Sequence, residues 1–450
     1  MYISSLSLKN FRCYRQAETT FVHPDAEATL DLPKGALNNV TLLVGVNGSG
    51  KTSILRAVAL GVLAPVINES GFRPYYLVRR AKAGSKPIET GQILLKGVLD
   101  ESETREFDLG HAIPFNELPD LLQNRIDVIR RNDYDVVQFT SAPDYRSRQD
   151  LPGLLNRMRE GKTHSFVYNK AREPTAAQFL AALDRYYEDF SSSYFLLGYG
   201  AGRRAEDPSR TPPGADKSRG RRYLRTAGLF EEGITLSPLA GWLPQIKRKA
   251  RFAEVVKLLN QTLPVGTKFT GRFRPDKQPL FSHNGVELPF PALSDGYRSY
   301  VGLLGDILCH LHECCPPKRS LTDMTGVVMV DDIEMHLHPK WQRVVVPRLA
   351  KTFKNLQFIL STHSPLVAGS VHAANVRVIG KNQVHEFAER LHGLSVDQIL
   401  SSRYFSFTTP RSDESEKKLQ ELLEGAIDDG DADSALEFLK ELAGENPAKR

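Results

Sequence analysis

The pattern of apolar and polar positions predicts the first elements of the chain. Apolar and polar residues alternate over Met1–Phe11, which predicts a strand and differs from the basic and then apolar pattern of a signal peptide. The run Val40–Val44 is mostly apolar and lies between asparagines and a glycine, as a buried strand does. We expect a helix from Lys51 to about Leu63 and a pair of antiparallel strands over residues 92–109.

The middle of the chain has a different pattern. Residues 112–190 are rich in helix formers and in arginine, which favours an inserted helical lobe. Residues 203–225 contain eight lysines and arginines against three acids, together with three prolines. We therefore expect a mobile loop in this second segment.

The second half of the chain alternates strand and helix patterns. Asn284-Gly285 is the signal of a tight β-hairpin, and a long helix is expected to follow it. Apolar runs at Gly326–Val330 and Leu356–Leu360 predict buried strands, and Pro339 between them begins a helix. Strands that alternate with helices indicate a parallel sheet whose chemistry lies at the carboxyl ends of its strands.

Composition limits the size, compartment and charge of the protein. With 450 residues, 41% of them hydrophobic, the chain is expected to form two to three globular domains. No apolar stretch is long enough to cross a membrane, so we expect a cytoplasmic protein with no membrane contact. Arg411–Arg450 carries a charge of −6 and the rest of the chain +12, which permits nucleic-acid contact by the body and suggests a solvated or partner-docking tail.

Three of the four cysteines occur with two histidines in Cys309–Cys315. This cluster is compatible with a metal site, but no second C-x-x-C pair accompanies it. Apolar residues recur at helical spacing from Tyr300 onward, so the end of a buried helix is the favoured interpretation. Free thiols in so large a chain fit a reducing compartment.

A phosphate-binding loop is the strongest chemical signal. Gly45-Val-Asn-Gly-Ser-Gly-Lys-Thr52 matches G-x-x-x-x-G-K-[ST] between a predicted strand and a predicted helix. Glycines let the backbone N–H groups face the phosphates, Lys51 is expected to reach the β- and γ-phosphates of ATP, and Thr52 to ligate Mg²⁺. The residues expected to contact the nucleotide here are Asn47, Gly48, Ser49, Gly50, Lys51, Thr52 and Ser53.

A second strand supplies acids for the same chemistry. The apolar strand Val327–Val330 ends in Asp331-Asp332. We expect Asp331 to hold Mg²⁺ through water and Asp332 to lie near the attacking water as a catalytic residue. An apolar strand that ends in two acids is common by itself, but its pairing with the loop at 45–52 points to ATP chemistry.

Two further motifs resemble those of ABC-type ATPases. Leu293-Ser-Asp-Gly-Tyr297 is similar to the L-S-G-G-Q signature, and Leu360-Ser-Thr-His363 is similar to the strand and switch histidine of that family. The resemblance implies that His363 is catalytic and that Ser294 and Gly296 contact the γ-phosphate held by the opposite subunit. A homodimer or a higher even oligomer is therefore expected. A simple helix N-cap and a structural histidine are the alternative interpretations.

The first strand narrows the resemblance. Leu8-Lys-Asn-Phe-Arg-Cys-Tyr14 is similar to the RecF, SMC and Rad50 branch, which implies that Arg12 approaches the nucleotide. The runs Asp331–Trp341 and Ser361–Pro365 resemble compact ATPases of prokaryotic antiviral systems, namely the Septu PtuA type, retron-associated relatives and the OLD family. These motifs lie within about residues 1–65 and 190–400.

The resemblance implies an α/β fold, a P-loop ABC-type ATPase head with an antiparallel β flank and an inserted helical lobe. Four regions are expected along the chain. They are residues 1–65 (N-terminal part of the ATPase core), 66–190 (flank and lobe), 191–400 (C-terminal part of the core, with signature, second acidic strand and switch histidine) and 401–450 (acidic helical tail).

Three departures from the family pattern affect the expected function. Asp332 stands where the family usually has a catalytic glutamate, so slow hydrolysis is expected. The strand Tyr194–Gly198 is followed by Tyr199-Gly-Ala-Gly-Arg203 in place of the glutamine loop of transporters. The acids after Asp428 lack the preceding strand and glutamate of a Toprim nuclease, which argues against an OLD-type nuclease.

Three functions compete at this stage. The favoured hypothesis is an ATP-switched sensor or scaffold of an antiviral system, whose toxic activity belongs to a separate effector such as a nuclease. A RecF-like repair ATPase that binds DNA on its basic face is the main alternative. A transporter ATPase is disfavoured because the glutamine loop is missing.

Overall fold

The computed structural model of the protein describes residues 1–25, 32–69, 76–81, 84–98, 121–130, 135–143, 190–192, 194–204, 220–380 and 383–405. The chain divides into two compact units, Met1–Gly393 and Leu394–Arg450. The described start of the second unit contains one short helix, whose first turn is closed by reciprocal bonds between Ser395 and Gln398. The predicted acidic helical tail lies outside the described residues beyond Phe405.

Two sheets of the first unit contain most of its strands, and a third forms a small lobe. The described strands are β1 (Tyr2–Phe11), β2 (Tyr14–Thr20), β3 (Val40–Val44), β4 (Thr90–Val98), β5 (Leu121–Arg130), β6 (Asp135–Pro143), β7 (Leu196–Tyr199), β8 (Thr267–Phe273), β9 (Pro279–His283), β10 (Val286–Pro289), β11 (Gly326–Val330), β12 (Leu356–Thr362), β13 (Val376–Gly380) and β14 (Gln383–His385).

The larger sheet has the order β14-β13-β3-β12-β11-β7. Its neighbours are parallel except for the antiparallel edge pair β13–β14. Val330 pairs with Leu360, and Thr362 pairs with Val44, so the residues that follow β3, β11 and β12 emerge at one edge. The predicted parallel sheet and its three apolar strands are confirmed.

The second sheet is antiparallel and has the order β2-β1-β4-β5-β6. It confirms the antiparallel flank and the strand at the start of the chain. The helical lobe expected over residues 112–190 is wrong for residues 121–130 and 135–143, which form β5 and β6. Cross-strand pairing with β4 outweighs the local helix preference of this segment. Most of the expected lobe, and the second strand expected before Leu109, lie outside the described residues.

The described helices differ greatly in length. They are α1 (Lys51–Glu69), α2 (Arg221–Ala227), α3 (Leu239–Ile246), α4 (Arg251–Thr262), α5 (Asp295–Cys314), α6 (Pro339–Gln342), α7 (Val345–Thr352), α8 (Pro365–Ala368) and α9 (Val396–Leu400). Residues 221–225, the last five of the predicted loop over 203–225, belong to α2, so the prediction of a loop is wrong for them. Arg222 in this helix is buried and donates to the carbonyl of Tyr194 at 2.9 Å, so one of the arginines that suggested a mobile loop packs inside the protein.

Helix α1 is the centre of the core. It is buried on nearly every side and contacts strands of both sheets, including β4, β5, β7 and β12. A helix with apolar residues on all sides is stable only when protein surrounds it. The packing therefore fixes the first turn of α1, which begins at Lys51, at the edge of the parallel sheet.

A buried ionic cluster fastens α5 to the parallel sheet. Tyr199 at the end of β7 donates to Asp306 Oδ2 at 2.7 Å, and the backbone N–H of Ser237 donates to Oδ1 at 2.7 Å. His310 Nε2 lies 3.3 Å from Asp306 Oδ2, and Nδ1 lies 3.5 Å from Glu313. Burial raises the pKa of Asp306, but His310 and the bonds from Ser237 lower it more, to about 2.

The same cluster predicts a pH-dependent stability. Burial lowers the pKa of His310, but Asp306 and Glu313 oppose burial and the net shift is upward. A raised pKa means that the stabilising contribution is complete below the unfolded value of about 6.5 and is lost as pH rises through the folded value. We expect the melting temperature of the wild type to fall above this pH, and that of His310→Gln to change less over the same range. Melting curves between pH 6 and 9 measure both.

A matched control separates this effect from other titrations. His392 is exposed, so His392→Gln should keep the wild-type pH dependence. Identical pH profiles for His310→Gln and wild type would remove the assigned role of the Asp306–His310 pair.

The described residues test two predictions from the sequence, the helix end at Cys309–Cys315 and the hairpin at Asn284-Gly285. Helix α5 ends at Cys314, with Cys309 and Cys314 buried, so the interpretation of this run as a helix end is confirmed. Asn284 and Gly285 have φ of 49° and 85° and connect β9 to β10, which confirms the predicted hairpin. Within the described part of the chain, no helix has the length and apolar character needed to cross a membrane.

Candidate nucleotide-binding site

The loop Gly45–Thr52 connects β3 to α1 at the edge of the parallel sheet. Gly48 and Gly50 have φ of 76° and 113°, which bulkier residues rarely adopt. A Cβ on Gly50 would lie 2.5 Å from the hydroxyl of Tyr14, so the loop passes too close to β2 for any side chain. Lys51 Nζ donates to the carbonyls of Gly45 at 2.7 Å and Val46 at 3.2 Å. The amine is thereby held across the mouth of the loop.

An open cavity of about 510 Å³ lies against this loop. Its lining residues are Arg12, Cys13, Asn47, Gly48, Gly50, Lys51, Thr52, Ser53, Tyr76, Val78, Arg79, Arg80 and Asp332. Ser49 Oγ and Tyr14 Oη are buried with no hydrogen-bond partner among the described residues. Free N–H groups at the helix start, an inward amine and several guanidinium groups fit a nucleotide polyphosphate.

One wall of the cavity comes from a segment that the sequence did not single out. Leu77 accepts from the N–H of Arg12 at 2.6 Å, and the N–H of Arg79 donates to the carbonyl of Asn10 at 2.9 Å. These bonds fasten residues 76–80 beside the end of β1. They place Arg79 and Arg80 opposite the loop.

Tyr76 and Arg12 have unusual backbone conformations in this wall. Their φ values are 57° and 50°, which costs energy for residues other than glycine and is often associated with function. Arg12 Nε donates to Ser53 Oγ at 2.9 Å, and burial lowers the pKa of its guanidinium. Tyr76 is 64% exposed, and the guanidinium carbon of Arg80 lies 4.4 Å from the ring centroid. Such a ring offers a surface on which a purine base stacks.

Asp331 connects three elements at the sheet edge. Its Oδ2 accepts from Thr52 Oγ1 at 2.6 Å, and its Oδ1 accepts from Ser361 Oγ at the end of β12. Oxygen ligands of this kind, one hydroxyl and one carboxylate, suit Mg²⁺ with its remaining waters. The structure therefore brings Thr52 and Asp331, both expected to hold the metal, into direct contact.

Asp332 lies between the cavity and His363. Its φ is 46°, so the extended conformation ends before it, and its N–H donates to Ser361 Oγ at 2.8 Å. His363 is half exposed, with Nδ1 3.6 Å from Asp332 Oδ1. The same nitrogen is 3.1 Å from Oε1 of Glu334, a buried carboxylate. The two expected catalytic residues are thus adjacent, but only Asp332 lines the cavity.

The side chain of Arg203 binds the backbone of the loop after β11. It donates to the carbonyls of Asp331 at 2.6 Å and Asp332 at 2.8 Å, and to Gly200 at 3.1 Å. Burial lowers the pKa of this guanidinium, and the nearby carboxylates oppose the shift. The segment that replaces the transporter glutamine loop therefore fixes the backbone of the acidic pair. The replacement is visible in the sequence, but no local pattern assigns a role to Arg203.

Ser294 and Gly296 lie away from the cavity of their own chain, since neither lines it. Ser294 precedes α5, is exposed, and makes no side-chain capping bond. A Cβ on Gly296 would lie 2.4 Å from the carbonyl of His336, so the start of α5 packs on the loop after β11. Ser294 is therefore exposed at the start of α5 and does not cap that helix.

The parallel sheet, the loop at 45–52 and the acids after β11 define a P-loop nucleotide-binding domain of the ATPase type. A family model described as "AAA domain, putative AbiEii toxin, Type IV TA system" matches residues 40–369. The chain belongs to this family of AAA ATPases. A second model, "AAA ATPase domain", matches residues 1–63.

Curated relatives agree with the resemblance drawn from the motifs. The "Retron Ec83 probable ATPase" of Escherichia coli is 36% identical over 142 residues, which are 32% of this chain and 26% of that protein. The "Retron Vc95 probable ATPase" of Vibrio cholerae serotype O1 biovar El Tor is 41% identical over 98 residues, which are 22% of this chain and 19% of that protein. The "Septu protein PtuA" of Bacillus mycoides (strain KBAB4) is 33% identical over 118 residues, which are 25% of this chain and 16% of that protein. The resemblance to Septu and retron-associated ATPases is confirmed.

The extent of these matches is limited. The chain matches about a quarter or less of the length of these relatives. Among solved structures, the "SMC head domain from Thermotoga maritima" matches with a TM-score of 0.42 and 12% identity, over 86% of this chain and 99% of that one. A TM-score this low supports no conclusion about function.

Proposed function

We propose that the chain binds ATP with Mg²⁺ between two copies, hydrolyses it slowly, and serves as sensor or scaffold of a prokaryotic antiviral complex. The toxic activity of such a complex would reside in a separate, nuclease-like effector. The names of the retron and Septu relatives support the antiviral assignment. The observation that carries the ATP assignment is the 2.6 Å bond between Thr52 and Asp331, which joins the phosphate loop to the acidic strand.

The chain's own residues account for most of the nucleotide contacts in this proposal. Lys51 and the amides of residues 47–53 bind the phosphates, and Arg12 approaches from β1. Thr52 and Asp331 hold Mg²⁺, which neutralises phosphate charge when bound. Ser294 and Gly296 of a second copy approach the γ-phosphate in this proposal, which agrees with their absence from the lining of the cavity in their own chain.

Slow turnover follows from Asp332. Its side chain is one methylene shorter than glutamate, so its carboxylate lies about 1.5 Å farther from a water behind the γ-phosphate. General-base catalysis needs hydrogen-bond reach of roughly 2.6–3.2 Å. Slow hydrolysis keeps two copies closed on ATP, as a switch requires.

We predict that Asp332→Glu raises the ATP turnover rate by about tenfold, a part of the 10²- to 10⁴-fold that a general base contributes. ATP affinity should change little, because the phosphate contacts are untouched. Steady-state phosphate release and calorimetric binding measure the two quantities. Asp276→Glu adds the same methylene at an exposed turn and should leave both unchanged. Rapid wild-type hydrolysis that Asp332→Glu slows would refute the switch argument.

A RecF-like DNA-binding ATPase is the second candidate. Residues 244–278 contain nine lysines and arginines against two acids, and Lys247–Lys249 are exposed. This concentration of charge could contact a phosphate backbone. Salt-dependent binding of duplex DNA by the purified chain would favour this candidate over a protein scaffold.

A further inference from the structure

Glu334 is a buried carboxylate that accepts two hydrogen bonds from the end of β12 and lies beside the imidazole of His363. Its Oε2 accepts from Thr362 Oγ1 at 2.7 Å, and its Oε1 accepts from the backbone N–H of His363 at 2.8 Å. The imidazole Nδ1 of His363 lies 3.1 Å from the same Oε1, at ion-pair distance. One carboxylate thus contacts both the backbone and the ring of His363.

We propose that Glu334 is the positioning residue of His363 in ATP hydrolysis, an inference that rests on the function proposed above. The carboxylate lies against Nδ1 and favours a proton on that nitrogen, which fixes the ring orientation and the tautomer. The other nitrogen, Nε2, then carries the lone pair of the neutral ring and can accept a hydrogen bond from the attacking water. Carboxylates orient catalytic and metal-bound histidines in the same way elsewhere.

The geometry separates this role from that of a general base. Glu334 is 6% exposed, both of its oxygens already accept hydrogen bonds, and it does not line the cavity. Asp332 does line the cavity, and its Oδ1 is 3.6 Å from Nδ1, too far for a normal hydrogen bond. Asp332 therefore faces the reacting groups, and Glu334 supports the histidine.

The proposal predicts a specific kinetic pattern. Glu334→Gln keeps the shape of the side chain but loses the strong acceptor, so turnover should fall by about tenfold, as is typical when a histidine loses such a partner. ATP affinity should stay near the wild-type value. Because Glu334 acts through His363, the double variant Glu334→Gln/His363→Ala should be no slower than His363→Ala alone.

Two controls exclude a general structural effect. Glu254 also accepts a backbone N–H, that of Leu321 at 2.7 Å, and a hydroxyl, that of Ser320, yet it lies outside the cavity lining. Glu254→Gln should keep wild-type turnover. If Glu334→Gln folds poorly, Thr362→Val removes one donor to Glu334 and should slow turnover, whereas Thr362→Ser keeps that donor and the rate.

Failure of the proposed function and failure of the positioning role give different results. Absence of wild-type ATPase activity would count against the proposed function itself. Normal wild-type activity with unchanged turnover in Glu334→Gln, or a double variant much slower than His363→Ala, would overturn the positioning role.

The ligand atoms of Asp332, Glu334 and His363 also lie within 4.8 Å of one another. Tight Zn²⁺ binding by nucleotide-free protein, abolished by both Glu334→Gln and His363→Ala, would likewise overturn it in favour of a metal site.

Discussion

Lys51→Ala is expected to weaken ATP binding at least about a hundredfold while the protein stays folded. A hydrogen bond to a charged group contributes about 1.5–3 kcal/mol, and Lys51 is expected to make two to the phosphates. In the structure Lys51 is only 6% exposed, and its amine donates to the carbonyls of Gly45 and Val46 at the mouth of the loop. Alanine is the best helix former, so the first turn of α1 should persist.

Calorimetric titration of ATP with Mg²⁺ measures this effect. Lys257→Ala removes an exposed lysine from α4 and should leave the affinity unchanged. A melting curve close to the wild type would show that Lys51→Ala is folded. Unchanged ATP affinity in folded Lys51→Ala would contradict the nucleotide assignment of the loop.

Elements with a strong local pattern were predictable. β3, β11 and β12 are short apolar runs bounded by turn residues, and their order with helices indicates a parallel sheet. The loop at 45–52 has a sequence dictated by its backbone, since its glycines supply positive φ and close approach. For this reason Lys51, Thr52 and Asp331 could be placed together from the motifs.

Features that depend on distant pairing were not predictable. β5 carries Asn124, Arg125 and Asp127, which do not resemble a strand until β4 and β6 pair with it on both sides. The wall at residues 76–80 is fixed by bonds to residues 10–12, far away in the sequence. No local pattern marks such a segment as part of a site.

Buried charged residues were missed for a related reason. Arg203 and Arg222 lie in a stretch whose basic and proline-rich composition suggested a mobile loop. Each instead donates to backbone carbonyls inside the protein. The partner of a buried charge is set by the fold, and composition alone assigns such residues to the surface.

The shared site predicts that two inactive variants restore each other. Lys51→Ala removes the phosphate contact, and Ser294→Arg puts a bulky charge where the second copy approaches the γ-phosphate. With two-fold pairing, a mixed dimer contains one site with both defects and one with neither. Random pairing of equal amounts should restore about a quarter of the wild-type sites. Each variant mixed with a differently tagged copy of itself is the matched control and should stay inactive.

ATP turnover of this equal mixture tests the central claim, a nucleotide site built from two copies of the chain. Neither variant alone should turn over ATP, and mixing should restore part of the turnover, with an ATP-dependent complex that contains both tags. If the mixture never regains turnover and no mixed complex forms with ATP, Ser294 does not complete the site of a partner, and the account is contradicted.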